Sequence, residues 1–173
     1  MENLTSAVKL AIELEKKGYD LYTKTARESD HPVISSTFLG LAQRELEHIK
    51  RIEVLYAEIS KETINYQKIQ EISVPVDKQT ILNLIMDNLK GRLSVKPKTA
   101  VSPVYEIALQ LEKDSYNYYK KLSGELKDPP LAQFFEILAA EENEHYSIIQ
   151  ESKLYLEHPG DWFNAHERWI VEG

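Results

Sequence analysis

The tetrapeptide Glu45-Leu46-Glu47-His48 has a counterpart 97 positions later in the chain, Glu142-Asn143-Glu144-His145. The same shift, without a gap in either block, also superimposes apolar, aromatic and acidic residues that flank the two tetrapeptides. The sequence therefore predicts two copies of one structural unit. Among the matched pairs are Leu14-Glu15-Lys16 with Leu111-Glu112-Lys113, Tyr19 with Tyr116, Tyr22 with Tyr119, Phe38 with Phe135, and Ile52 with Ile149.

Each copy has the pattern of a helical hairpin. Apolar residues recur at helical spacing along two long stretches in each copy, and a short breaker separates the stretches. The breakers are Ser29-Asp30-His31-Pro32 and Asp128-Pro129-Pro130, in which we expect Asp30 and Asp128 to cap the helices that follow. The predicted helices cover about 5–28, 33–60, 102–126 and 129–157.

The long connection between the hairpins indicates the topology. Residues 61–102 form a crossover that can run from one end of a bundle to the other, with one short amphipathic helix predicted at 80–89. We therefore predict an all-α fold over residues 1–157, a four-helix bundle of two hairpins with one long crossover. Residues 158–173 form a C-terminal tail with a short amphipathic helix that packs on its own bundle or clasps a second subunit. Its apolar residues are Trp162, Phe163, Trp169 and Ile170.

The repeat preserves a set of residues that can bind metal. Each Glu-x-x-His motif places a carboxylate and an imidazole one helical turn apart, and a further Glu lies 30 residues before each motif. All four Glu lie near the middle of their helices on the apolar stripe, so folding would bury them together. Buried charges need partners, and four carboxylates with two imidazoles suit a dinuclear iron or manganese site. The predicted ligands are Glu15, Glu45, His48, Glu112, Glu142 and His145.

Some acidic residues compete with this set or lie beside it. Glu13 is an alternative to Glu15, but the repeat places it on Gln110 and not on an acidic residue. A third motif of the same form ends at His31 and runs directly into a proline, so we give it no role. Four other Glu of the second and fourth helices are expected to face solvent or line an entrance for cations. They are Glu47, Glu141, Glu144 and Glu151.

The composition excludes several functions. The chain has no cysteine, which rules out disulfides, thiolate metal sites and a cysteine nucleophile. A net charge of −7 argues against a nucleic-acid partner, and no apolar run is long enough to predict a membrane span. The amino terminus lacks the pattern of a signal peptide, so we expect a cytoplasmic protein.

These residues resemble the ferritin-like di-iron carboxylate proteins, and within them the rubrerythrin-like branch. The resemblance covers nearly the whole chain, and is strongest at residues 11–19, at 44–48 and in the start of the tail at 158–163. It implies that Glu45 and Glu142 bridge two metal ions, with the other four ligands terminal. Glu15 and His48 would bind one ion, Glu112 and His145 the other. It also implies that Tyr22 and Tyr119 hold carboxylates across the bundle, the alternative being that they are plain core aromatics.

The chain departs from that branch at three points. Peroxide-reducing rubrerythrins carry an additional Glu one turn after the third-helix ligand, where this chain has Ser115. They also carry a cysteine-ligated iron domain that delivers electrons, which a chain without cysteine cannot form. Leu46 stands where bacterioferritins have a haem-binding Met, so we predict no haem.

The resemblance implies an oxidoreductase that reduces peroxide or O₂ at two iron ions, with manganese or a mixed pair as alternatives. Its partners would be H₂O₂ or O₂, an external electron-donor protein and a second copy of the chain as a homodimer. One alternative function is a ferroxidase or iron-storage subunit, for which Fe(II) is the substrate. Another is a metal-stabilised structural or sensing module without turnover.

Overall fold

The computed structural model describes residues 2–75 and 102–162, and the regular structure within these ranges is helical. None of the helices described there combines the length and the apolar character that a membrane span requires. A further helical turn follows at residues 159–162. The main helices are α1 (Glu2–Glu28), α2 (Pro32–Ile59), α3 (Tyr66–Ile72), α4 (Ser102–Glu125) and α5 (Pro129–Glu157).

The two breakers end their helices as predicted, but only one cap is the predicted residue. Asp128 caps α5, and its carboxylate accepts a hydrogen bond from the backbone N–H of Leu131 at 3.2 Å. The prediction for α2 is wrong, because His31 and not Asp30 is the N-cap, with Nδ1 accepting from the N–H of Val33 at 3.3 Å. Proline favours the first helical position, so Pro32 makes the residue immediately before it the cap.

The four long helices form two antiparallel hairpins, α1 with α2 and α4 with α5. Helix α1 of the first hairpin packs on α4 of the second, and α2 packs on α5. Each long helix thus contacts its hairpin partner and one helix of the other hairpin. This confirms the predicted all-α, ferritin-like four-helix bundle.

The buried apolar residues form two clusters toward opposite ends of the bundle. The first surrounds Phe38 and Tyr105, and the second surrounds Phe134 and Phe135. The layer between the two clusters is polar, although it lies at the centre of the helices. A polar layer flanked by apolar clusters is shielded from water at both ends, which sets the environment of the candidate site.

The segment after α2 contains a helix that the sequence analysis did not predict. Helix α3 begins after Asn65, whose side chain accepts from the N–H of Lys68, and it buries Ile69 against the bundle. It packs on α2 and α5. The helix predicted at 80–89 lies outside the described residues, as does most of the crossover.

The start of the C-terminal tail packs on its own chain. Trp162 is buried against Tyr155, with ring centroids 5.5 Å apart, and its Nε1 donates to Glu151 at 2.8 Å. The interpretation in which the tail packs on its own bundle therefore holds for this tryptophan. Phe163, Trp169 and Ile170 lie outside the described residues.

Candidate metal centre

The polar layer contains the six residues predicted as ligands. Each Glu of the set lies within about one residue of the midpoint of its helix, so the bundle brings them to one level. All six side chains are buried, with at most 3% of each residue exposed. By contrast Glu13, the alternative to Glu15, is exposed on the outer face of α1.

Three carboxylates surround one nitrogen of His48. Its Nδ1 lies 3.0 Å from Oε2 of Glu15, 2.9 Å from Oε1 of Glu142 and 3.8 Å from Oε2 of Glu45. These carboxylates come from α1, α5 and α2 respectively. Nδ1 of His48 therefore contacts carboxylates from its own hairpin and a carboxylate from the other hairpin.

The other imidazole has the same surroundings. Nδ1 of His145 lies 3.3 Å from Oε1 of Glu45, 3.5 Å from Oε2 of Glu112 and 3.8 Å from Oε2 of Glu142. Glu45 and Glu142 therefore approach both imidazoles, whereas Glu15 and Glu112 approach one each. The two rings stack with centroids 5.2 Å apart and an angle of 17° between their planes. This is a pseudo-two-fold arrangement, as the internal repeat requires.

The donor atoms fit a pair of metal ions. Glu45, His48, Glu142 and His145 each offer a ligand atom, and these atoms lie within 4.8 Å of one another. Nδ1 of His145 is buried without a hydrogen-bond partner among the described residues. Buried polar atoms normally have partners, and a cation would supply one to this nitrogen. Carboxylate and imidazole are donors that iron and manganese accept, so the residues fit a dinuclear site.

The buried carboxyl groups of the layer strongly affect one another's ionisation. Burial raises the pKa of Glu45 and Glu142 well above the usual range, and the charges of neighbouring carboxylates, Glu15 foremost, raise it further. Burial also opposes ionisation of Glu15. The charge of His48 and its hydrogen bond outweigh the effect of burial, so the pKa of Glu15 falls to about 2. Cations entering this layer would displace protons and offset the mutual repulsion of the carboxylates.

Two tyrosines connect the carboxylates across the bundle. The hydroxyl of Tyr22 in α1 donates to Oε1 of Glu112 in α4, and the hydroxyl of Tyr119 in α4 donates to Oε1 of Glu15 in α1. Burial raises the pKa of both tyrosines well above the usual range, as do the carboxylates beside them. Both phenols therefore keep their protons at neutral pH. Tyr22 and Tyr119 thus contact carboxylates across the bundle, as the resemblance implies. That they support bound metal through these carboxylates stays a prediction.

Comparison with known proteins places the chain in a family. The family model described as Rubrerythrin matches residues 6–153, which include the four long helices and all six candidate ligands. The chain belongs to the rubrerythrin family. Neither the curated proteins nor the solved structures compared with it gave a match. Family membership and the buried Glu/His cluster together support a di-iron carboxylate protein, with a cluster that suggests a dinuclear metal site.

The prediction for Glu141 is wrong for this member of the rubrerythrin family. The residue was expected to face solvent or line an entrance, but it is buried, and its Oε2 lies 3.1 Å from Nε2 of His48. Arg51 of α2 donates to both of its oxygens, from Nη1 at 3.2 Å and from Nη2. The adjacent His48 and the hydrogen bonds from Arg51 outweigh the effect of burial and lower the pKa of Glu141 to about 2. The cause is tertiary, because the cation that permits burial comes from another helix.

The other three acidic residues of that group differ in their surroundings. Glu47 is exposed and pairs with Lys50 at 2.7 Å, as expected of a solvated face. Glu144 is half-buried. Glu151 is also half-buried and accepts the hydrogen bond of Trp162, so it fastens the tail.

Gly18 lets α1 approach a carboxylate of the site closely. A Cβ atom at this position would lie 3.2 Å from Cδ and 3.3 Å from Cγ of Glu45. Its counterpart in the repeat is Ser115, which is buried at the position where peroxide-reducing rubrerythrins have a further Glu. The sequence analysis did not single out Gly18, although a glycine at the centre of a long helix is a signal of close packing.

Replacing Gly18 by alanine is expected to weaken metal binding without harming the helix. The added methyl group would push the Glu45 carboxylate away, which we expect to lower Co(II) affinity about tenfold. Helix propensity by itself would favour alanine by about 0.5–1 kcal/mol. Gly40→Ala is the control, because nothing lies within 4 Å of a Cβ there, and its Co(II) affinity is expected to equal that of the wild type. Equal affinities for the two variants in a competitive titration would contradict the prediction.

A surface cavity of about 240 Å³ reaches one side of the centre. It lies between α4 and α5, and the buried ligand Glu112 forms part of its wall. The other lining residues carry phenol, amide and ammonium groups: Lys113, Tyr116, Asn117, Asn143 and Tyr146. The cavity is a route by which a small polar molecule could approach the ligands from solvent.

Proposed function

We propose that this protein is an oxidoreductase that reduces H₂O₂, or O₂, at two iron ions, with electrons from an external donor protein. The observation that carries the proposal is the pair of Nδ1 atoms, each facing three carboxylates, of which two are shared. This pattern supports Glu45 and Glu142 as the bridging ligands. Glu15 with His48, and Glu112 with His145, are then the terminal ligands of the two ions.

The chemistry of a di-iron centre fits the reduction of a peroxide. When bound, two Fe(II) ions would supply both electrons that turn H₂O₂ and two protons into two molecules of water, leaving two Fe(III) ions for the external donor to reduce. Carboxylates suit both oxidation states, since a hard oxygen donor binds either charge. The apolar clusters keep bulk water from reaching this layer through either end of the bundle.

The tyrosines have two functions in this proposal. Tyr22 and Tyr119 orient one oxygen each of Glu112 and Glu15, so that the second oxygen of each carboxylate stays directed toward the imidazoles. They also hold two protons beside the centre, on hydroxyls that do not ionise at neutral pH. A carboxylate whose orientation is fixed in advance costs less reorganisation when it binds a metal.

The lining of the cavity supports a neutral oxidant over a cation as substrate. Lys113 and the amides of Asn117 and Asn143 line the cavity, and an ammonium group repels Fe(II). H₂O₂ is uncharged and can hydrogen-bond to amides and phenols. We therefore favour peroxide or O₂ reduction over iron storage.

The composition and the lack of a spanning helix among the described residues are compatible with the cytoplasmic location that we propose.

Anaerobic loading followed by oxidation tests the function. Metal-free protein is titrated with Fe(II), mixed rapidly with H₂O₂ or with O₂, and supplied with a chemical reductant under excess oxidant. We expect two equivalents bound per chain, faster oxidation by H₂O₂ than by O₂, and repeated turnover with reductant. Growth of a ferric mineral from excess Fe(II) would instead support the ferroxidase function. Binding without turnover would support the structural or sensing module.

Blocking the cavity is expected to slow the oxidation of the iron-loaded centre by H₂O₂. Asn143→Trp fills the wall beside Glu112 and, by hindering access, should lower the rate of oxidation by H₂O₂ about tenfold, with Fe(II) stoichiometry unchanged. Leu46→Trp is the matched control, because Leu46 is the repeat counterpart of Asn143 and is exposed on α2. Stopped-flow absorption measures both variants. Equal rates for the two would show that the oxidant takes another route.

A further inference from the structure

The pseudo-two-fold symmetry of the centre ends directly outside the ligands. The repeat places Arg44 at the position of Glu141, and Ile148 at the position of Arg51. The pair formed by the buried Glu141 and the largely buried Arg51 therefore exists on one side of the centre only. A guanidinium has no lone pair to accept a hydrogen bond, so Arg44 cannot act as an acceptor for the N–H of His145. Glu141 has carboxylate oxygens that can accept from His48.

The contacts of the two imidazoles reflect this difference. His48 has carboxylates against both nitrogens, with Nδ1 facing the centre and Nε2 lying 3.1 Å from Oε2 of Glu141. In the described part of the chain, the carboxylates paired with His145 all lie against Nδ1. A carboxylate on the outer nitrogen fixes the tautomer and the ring orientation, and makes the inner nitrogen a better donor.

The carboxylate of Glu141 is itself held firmly. Arg51 donates to both of its oxygens, and the fork geometry of a guanidinium fixes the plane of a carboxylate. Nη1 of Arg51 also donates to the backbone oxygen of Val74 at 3.1 Å, which connects the pair to the segment after α3. Glu141 and the side chain of Arg51 are 6% and 13% exposed, so little water competes for these bonds.

We propose that Glu141, held by Arg51, is a positioning residue for His48, and that it makes the two metal positions unequal. The position built from Glu15 and His48 binds a divalent ion more tightly than the position built from Glu112 and His145. The proposal rests on the proposed dinuclear centre and deepens it, because it assigns an order to loading. The first equivalent of metal goes to the first hairpin.

Co(II) titration of single-position variants tests the order. His145→Ala leaves the His48 position intact, and His48→Ala leaves the His145 position intact. Affinity is measured by competition with a chelator, and the visible Co(II) bands report the geometry of each position. Adding Glu141→Gln is expected to weaken Co(II) binding about 10- to 100-fold in the His145→Ala background. In the His48→Ala background we expect a change of less than about threefold.

Two further variants separate positioning from a general loss of structure. Arg51→Lys keeps the charge but loses the fork, so it should reproduce part of the loss at the His48 position only. Arg44→Gln is the matched control at the repeat counterpart and should leave that position unchanged. The helical circular dichroism of each variant shows whether it folds.

The outcomes distinguish this inference from the proposed function. Wild-type protein that takes up two equivalents of Co(II), with Glu141→Gln acting on the His48 background alone, supports the inference. Equal weakening in both backgrounds, or none in either, overturns it while the dinuclear centre stands. Failure of the wild type to bind two equivalents overturns the centre and the inference together.

Discussion

Replacing Glu45 by alanine is expected to reduce Fe(II) uptake from two equivalents per chain to at most one and to remove the fast reaction with H₂O₂. The carboxylate approaches both imidazoles, at 3.8 Å from Nδ1 of His48 and 3.3 Å from Nδ1 of His145. Its loss therefore affects both metal positions, whereas loss of Glu15 affects one. We expect the rate of oxidation by H₂O₂ to fall by more than about 100-fold. Anaerobic titration and stopped-flow absorption measure the two effects.

Glu47→Ala is the matched control for this variant. Glu47 lies two residues away on the same helix, is exposed, and pairs only with Lys50 among the contacts described here. Its removal is expected to leave both the stoichiometry and the rate unchanged. Two tightly bound equivalents in the Glu45→Ala protein would contradict the role of Glu45 as a shared ligand, and would remove the main support for the proposed function.

A second large effect concerns stability. Converting Glu45 and Glu142 together to leucine is expected to make the metal-free protein more stable by about 1–4 kcal/mol, because apolar side chains of similar volume replace two polar carboxyl groups whose burial is unfavourable. Saturating Mn(II), at about 1,000 times its dissociation constant, should stabilise the wild type by about 4 kcal/mol for each ion bound and the double variant not at all. Denaturant unfolding with and without metal measures both quantities.

The two terminal carboxylates supply the contrast. Glu15→Leu and Glu112→Leu each remove the acceptor of a buried tyrosine hydroxyl, which the Glu45/Glu142 double variant keeps. Each substitution is expected to destabilise the metal-free protein by about 1–3 kcal/mol, because a buried donor loses its partner. A metal-free Glu45/Glu142 double variant less stable than the wild type would show that those two carboxylates are satisfied without metal.

Local patterns in the sequence predicted the hairpins and the six residues of the polar layer. Helical periodicity determines which residues share a face, and the repeat selects Glu15 over Glu13 because only one of them has an acidic counterpart. These features depend on spacing along a single helix. For the same reason Asp128 was predictable as a cap, since it directly precedes a proline. At the other breaker the same rule indicates His31, the residue directly before Pro32, and His31 is the observed cap.

Contacts between helices decided the rest. Glu141 lies about 100° around α5 from Glu142, at the edge of the buried stripe, where periodicity alone does not determine exposure. It is buried because Arg51 reaches it from α2 and supplies the opposite charge. The surroundings of Gly18 and Trp162 are also determined by tertiary contacts. Gly18 lies where α1 approaches Glu45, and Trp162 lies where the tail packs against Tyr155.

The sequence by itself therefore determined the two hairpins and the symmetric set of ligands, because both follow from the phase of residues along single helices. Only the tertiary structure decided that two residues outside the repeat, Glu141 and Arg51, pair with each other beside His48. The pair of Glu141 and Arg51 depends on how α2 and α5 pack side by side, and no spacing within either helix encodes that distance.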